Sequence, residues 1–177
     1  MTRGAVGERD QGDGRTVVPW LSLAADASTR ARYRAMVHVR GDADCWYWTR
    51  NLSSSGHAKF RAGSRTSGTS RMVTAHVLGW VIHHGAIPPE VVRHTCDEPS
   101  CQQPRHWVAG RRGENVIDYY ARRHRGPLAD VRGPRGRAEA IRAAIVSTLA
   151  ADPASVEDAI AAAIAAGAPP ATQTLLF

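Results

Sequence analysis

Lysine is nearly missing from this chain. Of its 23 lysine and arginine residues, Lys59 alone is a lysine. GC-rich coding DNA favours such a swap without any ligand being involved. It does not explain the excess of positive charge, a formal +7 with a pI of about 10.1. Planar guanidinium groups suit phosphate contacts, so nucleic acid is the favoured partner class. Long apolar runs are missing too. The candidate from Ala159 to Ala166 is short and follows Glu157 and Asp158, well under the ~18–20 residues of a membrane span. The opening MTRGAVGERDQGDGR has no basic-then-apolar leader pattern. These absences predict a cytoplasmic protein. Cysteine is scarce and odd in number, three in 177 residues. In a reducing compartment that argues against a disulfide framework and leaves metal ligation or a free thiol.

What is present divides unevenly. Residues 1–19 read as a disordered N-terminal arm and residues 20–126 as the main domain. Residues 127–137 are a linker rich in Gly, Pro and Arg, residues 138–168 a helical region, and residues 169–177 a flexible tail. Within the main domain, Leu21 to Val39 carries apolar and polar residues at helical spacing, with Asp26 or Ser28 as the cap of a helix reaching Val37. CWYWT (Cys45–Thr49) reads as a strand, NLSSSG as a turn and HAKFRA (His57–Ala62) as its hairpin partner. A helix is expected over Met72–Gly85, with Gly85 just past its end. A short strand at VVR, a second at HWVAG and a helix over Glu114–Arg125 follow. Ala138–Ala151 and Ser155–Gly167 read as two Ala-rich helices, Ser155 with Asp158 resembling a capping box. The fold class expected is α+β.

Chemistry concentrates in RHTCDEPSCQQPRHW, from Arg93 to Trp107. Cys96-x4-Cys101-x4-His106 puts three soft or borderline ligands on a Pro-stiffened loop. Tetrahedral zinc needs four, and Cys45, the remaining cysteine, would close a Cys3His site. Such a site leaves no position for water and is structural. The alternative is unrelated buried thiols beside a surface histidine.

His94 is not needed for that site. A histidine ending a strand and an asparagine opening the next helix can face each other across a small cleft. Such an imidazole can take a proton from water, and the Asn115 carboxamide oxygen suits Mg²⁺. Equally, His94 can be a satisfied structural histidine and Asn115 a helix cap.

CWYW, then AHVLGWVIHHGAIPPEVVRHTCDEPSCQQPRHW, then GENVID together resemble the small phage-type HNH endonucleases, members of the His-Me finger (ββα-metal) nucleases. The zinc loop is similar to that of His-Cys box homing endonucleases. The resemblance covers about Asp44 to Arg125. It implies a ββα-metal core, a metal-dependent DNA endonuclease, His94 as general base and Asn115 as ligand of a catalytic Mg²⁺ or Mn²⁺. It also implies Cys45, Cys96, Cys101 and His106 as structural Zn²⁺ ligands, acting in a bacterial or phage-infected cytosol. Three departures stand out. Arg93 occupies a position where many such enzymes carry an acidic metal ligand, the second cysteine-rich zinc site of the His-Cys box enzymes is absent, and His57 replaces an aromatic residue. His57 is given no role, and His76, at a recurrent family position, is read as packing.

Contacts to double-stranded DNA are expected from Arg61, Arg65 and Arg71 on the hairpin and its loop, from Arg93, and from Arg111, Arg112, Arg122, Arg123 and Arg125 around the metal helix. Any of these can equally be solvated surface. The ending QTLLF resembles the short peptides that dock on the bacterial sliding clamp, with Gln173, Leu175, Leu176 and Phe177 as anchors. The competing expectation is a non-catalytic, zinc-stabilised DNA-binding regulator or clamp-associated accessory. Under either expectation the protein is a monomer or homodimer.

Overall fold

The computed structural model describes residues 17–170. Residues 1–16 of the expected arm lie outside that range, as do the tail residues Gln173, Leu175, Leu176 and Phe177. Among the described residues the chain mixes helices with three two-stranded antiparallel sheets, an α+β architecture. No helix among them is long and apolar enough to cross a membrane.

The first helical stretch is two helices, α1 (Trp20–Ala25) and α2 (Ala27–Arg34). Asp26 divides them. Its carboxylate accepts from the Thr29 backbone N–H at 2.8 Å and the Thr29 hydroxyl at 2.5 Å, which starts a new helix rather than continuing the old one. Val37–His38 leaves the helical path as strand β1 and pairs with β2 (Tyr47–Trp48). The expected pairing of CWYWT with HAKFRA is therefore corrected. β3 (Lys59–Ala62) pairs with β4 (Arg71–Thr74) across the GSRTSGTS loop, Phe60 opposite Val73. Burial explains the change. Trp48 belongs to the main core and Tyr47 to a second one, so β2 lies between cores. Its pairing is completed by a bridge from Tyr47 to Cys101.

The helix expected from Met72 starts at Ala75, because Arg71–Thr74 is strand. α3 (Ala75–His84) ends on Gly85 at φ 65°, a left-handed conformation that glycine adopts without strain. Helix α3 packs closely at Gly79, where an added Cβ would collide with the Tyr33 hydroxyl and the Trp107 ring. The main core centres on Tyr33, Trp48 and Phe60, whose ring centroids lie 5.7–5.9 Å apart. Edge-on and tilted arrangements of this kind suit the aromatic quadrupole.

Two further strands appear where expected. β5 (Val91–His94) and β6 (Trp107–Gly110) pair antiparallel with His94 opposite Trp107. Helix α4 (Arg112–Arg122) follows directly. Its start is closed by Glu114, which accepts from the Arg111 backbone N–H at 2.8 Å. Asn115 is thus not the cap.

Residues 127–137 hold most of a 3-10 turn (Gly126–Ala129) and the first residues of α5 (Gly133–Ala151). Ile141 and Ile145 of α5, four apart on one face, meet Val156 and Ile160 of α6 (Val156–Ala165) in the second core. An internal ion pair anchors α5. Arg137 Nε lies 2.7 Å from the Glu98 carboxylate, with Asp130 3.4 Å away. Glu98 is 1% exposed and Arg137 7%, so the pair ties α5 to the Cys96–His106 loop.

Candidate functional site

The loop between β5 and β6 turns sharply after Cys96. Asp97 there has φ 56°, unusual for a residue with a side chain. Pro104–His106 forms a 3-10 turn that brings His106 back beside the cysteines. Cys45 arrives from the segment ahead of β2. The Sγ atoms of Cys45, Cys96 and Cys101 and a ring nitrogen of His106 all lie within 4.8 Å of one another. Zinc bonds of ~2.3 Å to sulfur and ~2.0–2.1 Å to nitrogen, at the tetrahedral angle, put sulfur and nitrogen about 3.6 Å apart. Cys45 and Cys101 Sγ lie 3.6 and 3.5 Å from His106 Nδ1. The donor set and its dimensions fit, and this Cys3His group could hold a metal ion such as zinc.

The cysteines are electrostatically coupled. Hydrogen bonds from the Cys101 and Cys45 thiols hold Cys96 well below the usual thiol range. Bonds to the Cys45 and Cys96 sulfurs, then burial, push Cys101 far up. Metal binding requires all three as thiolates.

The loop also fixes His94. Its Nε2 lies 3.0 Å from the Cys101 carbonyl oxygen. A carbonyl only accepts, so Nε2 carries the proton and Nδ1 keeps a lone pair. Burial, ahead of every other influence, lowers the His94 pKa, keeping the ring neutral. His94 and Asn115 line one cavity of about 260 Å³ together with Ser55, His57, Asp97, Asp118 and Arg122. The two residues paired by sequence reasoning are thus brought to the same space.

Several neighbours were missed. Asp118, one turn beyond Asn115 on α4, accepts from Arg93 Nη1 at 2.6 Å. Arg122 bridges Asp118 at 3.2 Å and Asp97 at 3.3 Å. The spacing of Asn115, Asp118 and Arg122 on one helix was a usable signal. Nothing in the sequence marked Asp97.

The arginines expected to meet DNA fall into three groups. Arg61, Arg65, Arg111, Arg112, Arg123 and Arg125 are exposed. Arg71 is half-buried and donates to the Gly68 and Ser70 carbonyls. Arg93 and Arg122 are engaged by the carboxylates just described.

Two histidines given no catalytic part sit beside His94. The His76 ring centroid is 4.5 Å from that of His94, and the His57 centroid is 6.0 Å from His94 and 5.3 Å from His76. His76 is 5% exposed. Burial first, then the proximity of His94 and Lys59, lowers His57 to about 4. Burial, then His94 and His57, holds His76 well below the usual range, partly opposed by a backbone hydrogen bond at Val92.

Comparison with known proteins finds no match: no family model, no curated protein and no solved structure corresponds to this chain.

Proposed function

We propose that the chain is a divalent-metal-dependent DNA endonuclease built on a His-Me finger, with β5, β6 and α4 as the ββα unit and the Cys3His group as a structural zinc site. One observation carries this reading. His94, its Nε2 committed to the Cys101 carbonyl, shares a cavity with the Asn115 carboxamide.

In this reading His94 Nδ1 takes the proton of a water aligned with the scissile phosphorus. The water oxygen bonds to phosphorus as the bond to the 3′ oxygen breaks, and that oxygen takes a proton from solvent, leaving 5′-phosphate and 3′-hydroxyl ends. The Asn115 oxygen would hold Mg²⁺ or Mn²⁺, which supplies charge stabilisation at the phosphate and leaving oxygen. The Cys101 carbonyl keeps the ring in the tautomer this transfer needs. Exposed arginines on the β3–β4 hairpin and around α4 position the backbone without reading sequence.

Supercoiled plasmid tests the proposal. Nicking is expected with Mg²⁺ and not with EDTA. His94→Ala should slow it about 10²–10⁴-fold, the usual worth of a general base, with zinc content unchanged. A gel shift without any cleavage, or parental rates from His94→Ala, refutes it.

A further inference from the structure

Beside the Cys3His cluster the fold assembles a second group of metal-ligating side chains, of which the nuclease reading uses His94 and leaves His57 and His76 idle. We propose that His57, His76 and His94 form an imidazole tripod for a transition-metal dication of the Zn²⁺, Co²⁺ or Ni²⁺ class, with solvent completing its coordination. The proposal stands independently of any nuclease activity.

The three rings come from separate places: the turn before β3, helix α3 and the end of β5. No local motif gathers them, yet a ligand nitrogen from each lies within 4.8 Å of the other two. Three nitrogens on one tetrahedral zinc sit about 3.3 Å apart, from Zn–N bonds of ~2.0–2.1 Å. Small side-chain rotations close the difference, most readily at His57, which is half-buried in the turn before β3.

The outer partners are those of metal-bound histidines, which characteristically use the second ring nitrogen to bond an oxygen. His57 Nδ1 lies 2.9 Å from the Ser55 hydroxyl, leaving Nε2. His94 Nε2 lies 3.0 Å from the Cys101 carbonyl, leaving Nδ1. His76 supplies the independent sign of a ligand. Its Nδ1 is buried with no hydrogen-bond partner, a state proteins avoid unless something else satisfies the atom. In the proposed site that nitrogen ligates the ion.

Neutral nitrogen donors select the class of metal. Imidazole suits Zn²⁺, Co²⁺, Ni²⁺ and Cu²⁺, whereas Mg²⁺ prefers oxygen and retains its waters. The tripod, two of whose rings line the cavity that also holds Asn115, and the Asn115 oxygen are therefore chemically distinct sites. They also exclude each other in use, because His94 Nδ1 cannot bind a dication and accept a proton at once.

The full chain, purified with zinc in its thiolate site, should be dialysed against Co²⁺ and both metals counted by mass spectrometry. The wild type is expected to hold one cobalt besides its zinc, with no cobalt–thiolate charge-transfer band. His57→Phe and His76→Gln should each lose that cobalt and keep the zinc, which also reports an intact fold. The exposed neighbours His83 and His84 are an adventitious alternative, so His83→Ala/His84→Ala should leave the count unchanged. The proposal is overturned if wild type takes up no cobalt, if His57→Phe retains it, or if the His83/His84 variant loses it. None of these outcomes depends on DNA cleavage.

Discussion

Replacing Arg137 with methionine tests how the C-terminal helices are joined to the Cys/His loop. The substitution roughly keeps side-chain volume and removes the charge. It strands the Glu98 carboxylate, 1% exposed, without the guanidinium that now sits 2.7 Å away. The Ser100 hydroxyl, 3.0 Å from Glu98, stays but is neutral. Breaking a buried pair from one side costs about 3–5 kcal/mol, because the remaining charge is left unpaired. For a chain of this size that is about 6–20 °C in Tm, at 2–4 °C per kcal/mol. Burial already raises the Glu98 pKa, with Arg137 opposing the rise. Without Arg137 the pKa climbs further. A group whose folded pKa lies above its unfolded value favours folding below the unfolded pKa, and that advantage is lost as pH rises through the folded pKa. The Arg137→Met defect should thus be larger at pH 8 than at pH 6. Adding Glu98→Gln should recover most of it. Urea titrations of the single and double variants at both pH values provide the measurement. A single-variant loss under about 1 kcal/mol, or no recovery in the double variant, refutes the argument.

Two further perturbations address the metal site and the core. Cys101→Ser should abolish zinc retention and greatly weaken the protected fold around β5 and β6, since structural zinc is itself folding free energy. Zinc analysis together with amide exchange reads both effects, and stoichiometric zinc in the variant contradicts the assignment. Gly79→Ala places a methyl group against Tyr33 and Trp107 and should cost about 1–3 kcal/mol by overpacking. A neutral result in thermal melts shows that α3 shifts at no cost.

Much of the site was legible because its chemistry is local. Cys96, Cys101 and His106 lie on one loop, and His94 and Asn115 flank it on a strand and a helix that follow their own patterns. Cys45 joined them by elimination rather than by any signal of contact. The misread elements turn on competition that no single segment displays. CWYWT and HAKFRA are neighbours in sequence and both look like strands. Yet Tyr47 and Trp48 face different cores, so the strand takes Val37–His38 as its partner. Asp26 was recognised as a cap, but not that apolar residues precede it in a helix of their own. Arg137 sits in a stretch whose composition reads as solvated, and its partner Glu98 is remote in sequence. His57 and His76 carry no shared spacing with His94. Only the packing of α3 against the hairpins brings them together.

Cys101 serves both halves of the site. Its sulfur belongs to the Cys3His group and its carbonyl oxygen anchors the neighbouring imidazole. An oxidant or chelator that disturbs the sulfur therefore also loosens the proton bookkeeping of the ring beside it. In the proposed nuclease, redox damage at the scaffold and loss of reactivity in the cavity become a single event, transmitted through one peptide unit.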